Sequence, residues 1–125
     1  APHAPHEKDC EWEISFFGIV GLETSLPLIL QNLVDTGKMS WARLVEVMAV
    51  NPRRLLRLDP VSIAEGSAAD LTLIDPKKSV EITPEYLKSR SKNSAWLGQT
   101  LTGVATDVWA GGRRVLTDGV VTPQH

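Results

Sequence analysis

The feature that most constrains this chain is a change of periodicity at Pro60. Before it, apolar residues recur at helical spacing: Leu22, Leu26, Ile29, Leu30, Leu33 and Val34, then Trp41, Leu44, Val45 and Met48. After it, short apolar runs rich in valine, leucine and threonine alternate with glycine, proline and aspartate. A helix-period half followed by a strand-period half predicts an α/β chain, with a loop-plus-helices part joined to a β-rich part. The division falls at residues 1–60 and 61–125.

Within the first half, one helix is predicted from about Leu22 to about Asp35. Glu23 stands in its first turn, where the helix dipole favours an acid, and Gly37 is its stop signal. Pro27 must either kink this helix or mark its first turn. Ser40 is the cap of a second helix ending near Val50. Asn51 and Pro52 then read as cap and first position of a short third helix carrying Leu55, Leu56 and Leu58.

In the second half, Asp70 to Asp75 reads as a strand closed by Pro76, with another short strand at 80–82. Thr83 and Pro84 open a short helix through Lys88, and Ser89 to Ser94 is a polar surface loop. Strand-like residues return from Leu101 to Ala110 and from Arg114 to Leu116. Gly111-Gly112 between them is a hairpin turn, and Asp118-Gly119 turns into Val120-Val121.

Composition matters here for what it excludes. With 125 residues, 42% hydrophobic and 22% charged, the chain can bury an ordinary globular core. A net charge of -2 gives no electrostatic reason to expect nucleic acid or an anionic membrane as partner. No apolar run approaches the length of a membrane span, and the N-terminus lacks the pattern of a secretory signal. A single cysteine, Cys10, suits a reducing compartment, so a cytoplasmic protein is expected.

The chemistry-bearing residues cluster in the first two dozen positions. His3 and His6 lie in a proline-containing loop with Cys10, Glu7, Asp9 and Glu11 close by. Such a set can hold a metal if three or four donors converge; the alternative is exposed histidines that bind nothing. Cys10 reads as an ordinary free thiol, since a nucleophile needs an adjacent base and an orienting group. Arg53, Arg54 and Arg57 read as a solvated helix-end face, and the four scattered tryptophans as packing residues. Gly18 and Gly21 flank Ile19-Val20 just before a helix, which allows two readings. Backbone N–H groups there could cradle a carboxylate, or the glycines could serve a tight turn and nothing else.

Ala1-Pro2-His3, then Glu7-Lys8, then Phe17-Gly18-Ile19-Val20-Gly21-Leu22-Glu23 resemble consecutive motifs at the end of the catalytic barrel of a dihydroorotase. Downstream, Gly66 to Asp75 resembles the segment by which amidohydrolases return to a small β-sandwich, and Trp109 to Val115 with Asp118-Gly119 resembles the end of such chains. The resemblance implies the last loop and helices of a (β/α)8 barrel followed by the C-terminal strands of the sandwich. It implies His3 and the backbone of Phe17 and Gly18 as contacts to the substrate carboxylate, with His6 a bystander. Phe16 stands where relatives often carry proline.

The family's motif aspartate would fall two positions before Ala1, so no catalytic residue and no metal ligand is expected within this chain. Zinc would be bound upstream, and the chain alone would be inactive. The implied partners are dihydroorotate or carbamoyl aspartate, the remainder of the barrel, and a second subunit or an aspartate transcarbamoylase. The rival functions are a non-catalytic dihydroorotase-like scaffold and a free-standing metal-binding loop. With the barrel incomplete, apolar surface should be exposed between Leu22 and Leu58.

Overall fold

The computed structural model describes residues 3–122, so Ala1 and Pro2 of the first motif lie outside the described residues. The strand-period half forms a four-stranded antiparallel sheet in simple sequential order: β1 (Leu71–Glu81), β2 (Thr100–Ala110), β3 (Arg113–Thr117) and β4 (Val120–Val121). Gly111 and Gly112 both have positive φ, as the tight β2–β3 turn requires, and Asp118 (φ 50) and Gly119 repeat the device before β4. The first turn is docked on the entry to β1: Gly111 N–H donates to Asp70 Oδ1 at 2.7 Å and Gly112 N–H to the Ala69 carbonyl at 3.0 Å.

Pro76 does not end a strand, as the sequence had suggested; β1 runs through it, joining the two short strands expected there. The pairing accommodates the proline with a bulge. Asp75 faces Val104 and Ser79 faces Thr102, so Pro76, Lys77 and Lys78 together pass the single residue Gly103. Asp75 Oδ1 accepts from the N–H groups of Lys77 (2.8 Å) and Lys78 (3.1 Å), satisfying donors that the ladder loses.

Helix α1 (Leu22–Ile29) lies against β2 and widens into a π turn at Leu30–Val34, closed by Asp35 N–H donating to the Leu30 carbonyl at 2.9 Å. Pro27 sits six residues in, buried, rather than in the first turn. Gly37 (φ 72) stops the segment as predicted. Ser40 caps α2 (Trp41–Val45), its Oγ accepting from Arg43 N–H at 3.2 Å.

The expected restart at Asn51 does not occur. A second π turn, Glu46–Val50, leads directly into α3 (Asn51–Leu55), and Asn51 is itself helical with no capping bond. The missing N–H of Pro52 is tolerated within this continuous path. The path ends at Arg57 (φ 55), with Leu58 N–H donating to the Arg53 carbonyl at 2.9 Å, so the basic cluster is a helix end. Thr83 to Leu87 likewise forms one turn rather than a helix: Thr83 Oγ1 accepts from Tyr86 N–H and its carbonyl from Leu87 N–H.

Leu30, Leu44, Ile82, Leu87, Leu101 and Val104 are the buried apolar residues, and Val20, Leu28, Tyr86 and Trp96 pack on the group formed by Ile82, Leu87 and Leu101. Arg114 lies over the Trp109 ring at 5.2 Å and pairs with the buried Asp107, which ties β3 to β2. That guanidinium holds the Asp107 carboxyl below its usual range. The outer faces carry the predicted apolar exposure: Leu22 is 87% and Leu55 84% exposed, with Val45, Met48 and Leu56 also open. No helix among the described residues is long and apolar enough to cross a membrane.

Candidate substrate-binding loop

The N-terminal stretch is a loop with two short 3-10 turns, Pro5–Glu7 and Trp12–Ile14. Glu7 folds back on the first motif, its Oε2 accepting from Ala4 N–H at 2.5 Å. His3 is half-buried and stacks on Phe16, ring centroids 5.1 Å apart and 11° from parallel. Its Nδ1 lies 3.9 Å from Glu7 Oε2, beyond hydrogen-bond range. The first and last parts of the loop are thereby brought together, and His3 stands beside the turn containing Phe17 and Gly18.

That turn is built by Lys8 of the Glu7-Lys8 motif and by Asn93, neither of which had a role assigned from the sequence. Lys8 Nζ donates to the carbonyls of Phe16 and Gly18, the second at 2.9 Å. Asn93 Nδ2 donates to the same Gly18 carbonyl at 2.9 Å, and the Asn93 carbonyl accepts from Val20 N–H at 2.9 Å. Gly18 has φ 106, a backbone region that side-chain-bearing residues avoid. The N–H groups of Phe17, Gly18 and Ile19 have no acceptor among the described residues. The Phe17 side chain is 92% exposed. Gly21 has no positive φ, so only Gly18 of the pair meets a conformational demand.

A second rivet lies one helical turn further on. Glu23 Oε1 accepts from Lys88 N–H (3.0 Å), Ser89 N–H (2.7 Å) and Ser89 Oγ (2.8 Å). Burial works against its charge, but these donors outweigh it and hold the carboxyl below its usual value. Residues 88–93, which overlap the Ser89 to Ser94 stretch expected to be a plain surface loop, therefore buttress residues 18–23 at both ends. Lys8 belongs to the Glu7-Lys8 motif, but its partners, like those of Asn93 and Glu23, carry no local sequence signal.

Among the described residues no three histidines, cysteines or carboxylates gather closely enough to hold a metal ion. His6 is exposed, and Cys10 is exposed with its Sγ 3.5 Å from the Glu7 carbonyl. These residues do not fit zinc, and the arrangement supports no step through a metal. What it offers chemically is an imidazole and a short run of unengaged backbone donors on a rigid turn.

Residues 14–115 match the model of the amidohydrolase family. The chain is 48% identical over 118 residues to a dihydroorotase of Trichlorobacter lovleyi, covering 92% of this chain and 28% of that protein. Its fold matches the L-hydantoinase (dihydropyrimidinase) of Arthrobacter aurescens with a TM-score of 0.80 at 33% identity, over 90% of this chain and 25% of that one. A likeness of fold alone extends to the inactive dihydroorotase-like domain of a CAD-like multifunctional protein of Chaetomium thermophilum. There the TM-score is 0.65 at 23% identity, over 84% of this chain and 28% of that one. The chain thus spans about a quarter of the length of these relatives. With the match running through helices and sheet alike, this chain belongs to the amidohydrolase family.

Proposed function

We infer that the protein carrying this chain is a dihydroorotase, interconverting N-carbamoyl-L-aspartate and dihydroorotate in pyrimidine biosynthesis. The observation that carries the reading is the 48% identity to a dihydroorotase across nearly the whole chain. The site supports it: an imidazole beside unengaged N–H groups on a glycine turn suits a substrate carboxylate. In this reading His3 and the backbone of Phe17 and Gly18 bind that carboxylate and orient the ring. Residues 1–60 supply the last loop and helices of a (β/α)8 barrel, and residues 61–125 supply strands of a small sandwich. Zinc and the residues that hold it lie outside these 125 residues, so the chain alone is inactive. The enzyme works in the cytoplasm.

The test is cyclisation of carbamoyl aspartate by the full-length protein, before and after His3→Ala. Loss of a hydrogen bond to a charged group, about 1.5–3 kcal/mol, should raise KM by about 10- to 150-fold with metal content unchanged. Absence of turnover in the parent protein would sink the activity in favour of a non-catalytic scaffold. Loss of metal on His3→Ala would show that the role given to His3 is wrong.

A further inference from the structure

We propose that Lys8 and Asn93 are positioning residues that set the direction of the backbone donors at 17–19, an inference that rests on the carboxylate-binding reading above. The argument begins with peptide geometry. In a trans peptide the C=O of one residue and the N–H of the next point in opposite directions, and the described residues contain no cis bond. Lys8 Nζ holds the Phe16 carbonyl, which turns the Phe17 N–H away from the lysine. The same ammonium and Asn93 hold the Gly18 carbonyl, which turns the Ile19 N–H away as well. One cation thus orients two peptide units, and the left-handed Gly18 between them lets both carbonyls converge on it.

Both carbonyls would otherwise be free to swing toward a bound anion and repel it. Lys8 is therefore not a contact to substrate; it acts through the backbone. Asn93 fixes the same turn from the far side, with its carbonyl on Val20 N–H and its amide on Gly18. The geometry adds Ile19 N–H to the donors available to a carboxylate. It also gives the 88–93 segment a share in binding without touching the ligand.

The experiment uses the full-length protein with Lys8→Met, Lys8→Arg and Asn93→Ala, and reads two quantities. The first is KM for dihydroorotate against the inhibition constant of dihydrouracil, the same ring without its carboxylate. Lys8→Met and Asn93→Ala should raise KM by about tenfold or more, the scale of losing accurate placement. Dihydrouracil binding should stay unchanged, and Lys8→Arg should recover most of the loss. An equal weakening of both ligands, or of neither, overturns the inference. The second readout is hydrogen exchange at the Val20 amide, which needs no activity. Faster exchange in Lys8→Met and Asn93→Ala supports the clamp, and unchanged exchange overturns it. Should Lys8→Met not fold, Asn93→Ala decides alone on both readouts. If the parent protein turns over no dihydroorotate, the activity reading fails while the Val20 exchange still judges the positioning.

Discussion

Gly103→Ala isolates the contact that seats α1 on the sheet. Gly103 is buried on β2, opposite the Pro76 bulge, with φ 89. A Cβ there would stand 2.5 Å from Leu30 Cδ1 and 3.3 Å from Leu30 Cβ, and Leu30 is itself only 2% exposed. The methyl could yield by a rotamer change, but the Cβ moves only with the helix. The left-handed backbone costs about 1–2 kcal/mol for a residue with a side chain. Overpacking a tight site adds about 1–3 kcal/mol. The two together predict a loss of about 3 kcal/mol, or exchange from local opening that is faster by roughly a hundredfold.

Hydrogen exchange of the β1–β2 ladder in the full-length protein measures this directly. Leu30→Ala alone should cost about 2–5 kcal/mol by leaving a cavity. Combined with Gly103→Ala, the total should fall short of the sum, because the smaller side chain makes room for the new methyl. A Gly103→Ala protein within about 0.5 kcal/mol of the parent would refute the steric argument, since that is the range of an inconsequential substitution. Strict additivity would confine the cost to the backbone and remove Leu30 from it.

Glu23 makes the junction between residues 18–23 and 88–93 acid-sensitive. Because its folded-state carboxyl is held below the usual value, its contribution is complete above the unfolded pKa. That contribution is lost as pH falls through the folded value, so proteolysis within 88–94 should quicken in acid, and Glu23→Gln should flatten that dependence. Arg57→Gly should stabilise the end of α3 by about 1 kcal/mol, by removing the left-handed penalty; a lower unfolding midpoint would contradict it. Cysteines placed at Leu22 and Leu55 should label rapidly in the isolated 125-residue chain and slowly in the full-length protein. Equal rates would show that nothing further covers this face.

What could be read from the sequence was local. The Gly111-Gly112 and Asp118-Gly119 turns, the Ser40 cap and the Gly37 stop each depend on a few neighbouring residues, and each is present. The apolar stripes of the helices were legible for the same reason. Elements whose outcome depends on a distant partner were not. Pro76 looks like a strand end until Gly103 lies opposite it and the bulge can form. Asn51-Pro52 looks like a helix start, yet the preceding π turn carries the helix through it. Thr83-Pro84 has the right beginning for a helix, but only one turn forms before Leu87 is drawn into the core. At the candidate site, His3, Phe17 and Gly18 stood out by resemblance. The roles of Lys8 and Asn93 are visible only once the loop is folded, since they act on carbonyl groups that every residue has.

The bond between Asn93 and Gly18 also has a consequence in time. The two residues are 75 positions apart in the chain. At a synthesis rate of about 5–20 residues per second, the glycine leaves the ribosome roughly 4–15 s before its partner. For that interval the turn at 16–18 lacks half of its support. A nascent chain stalled or truncated between the two positions would present an unset loop. Protease cleavage within 16–20 should therefore be fastest for products ending short of residue 93 and slow for those that include it.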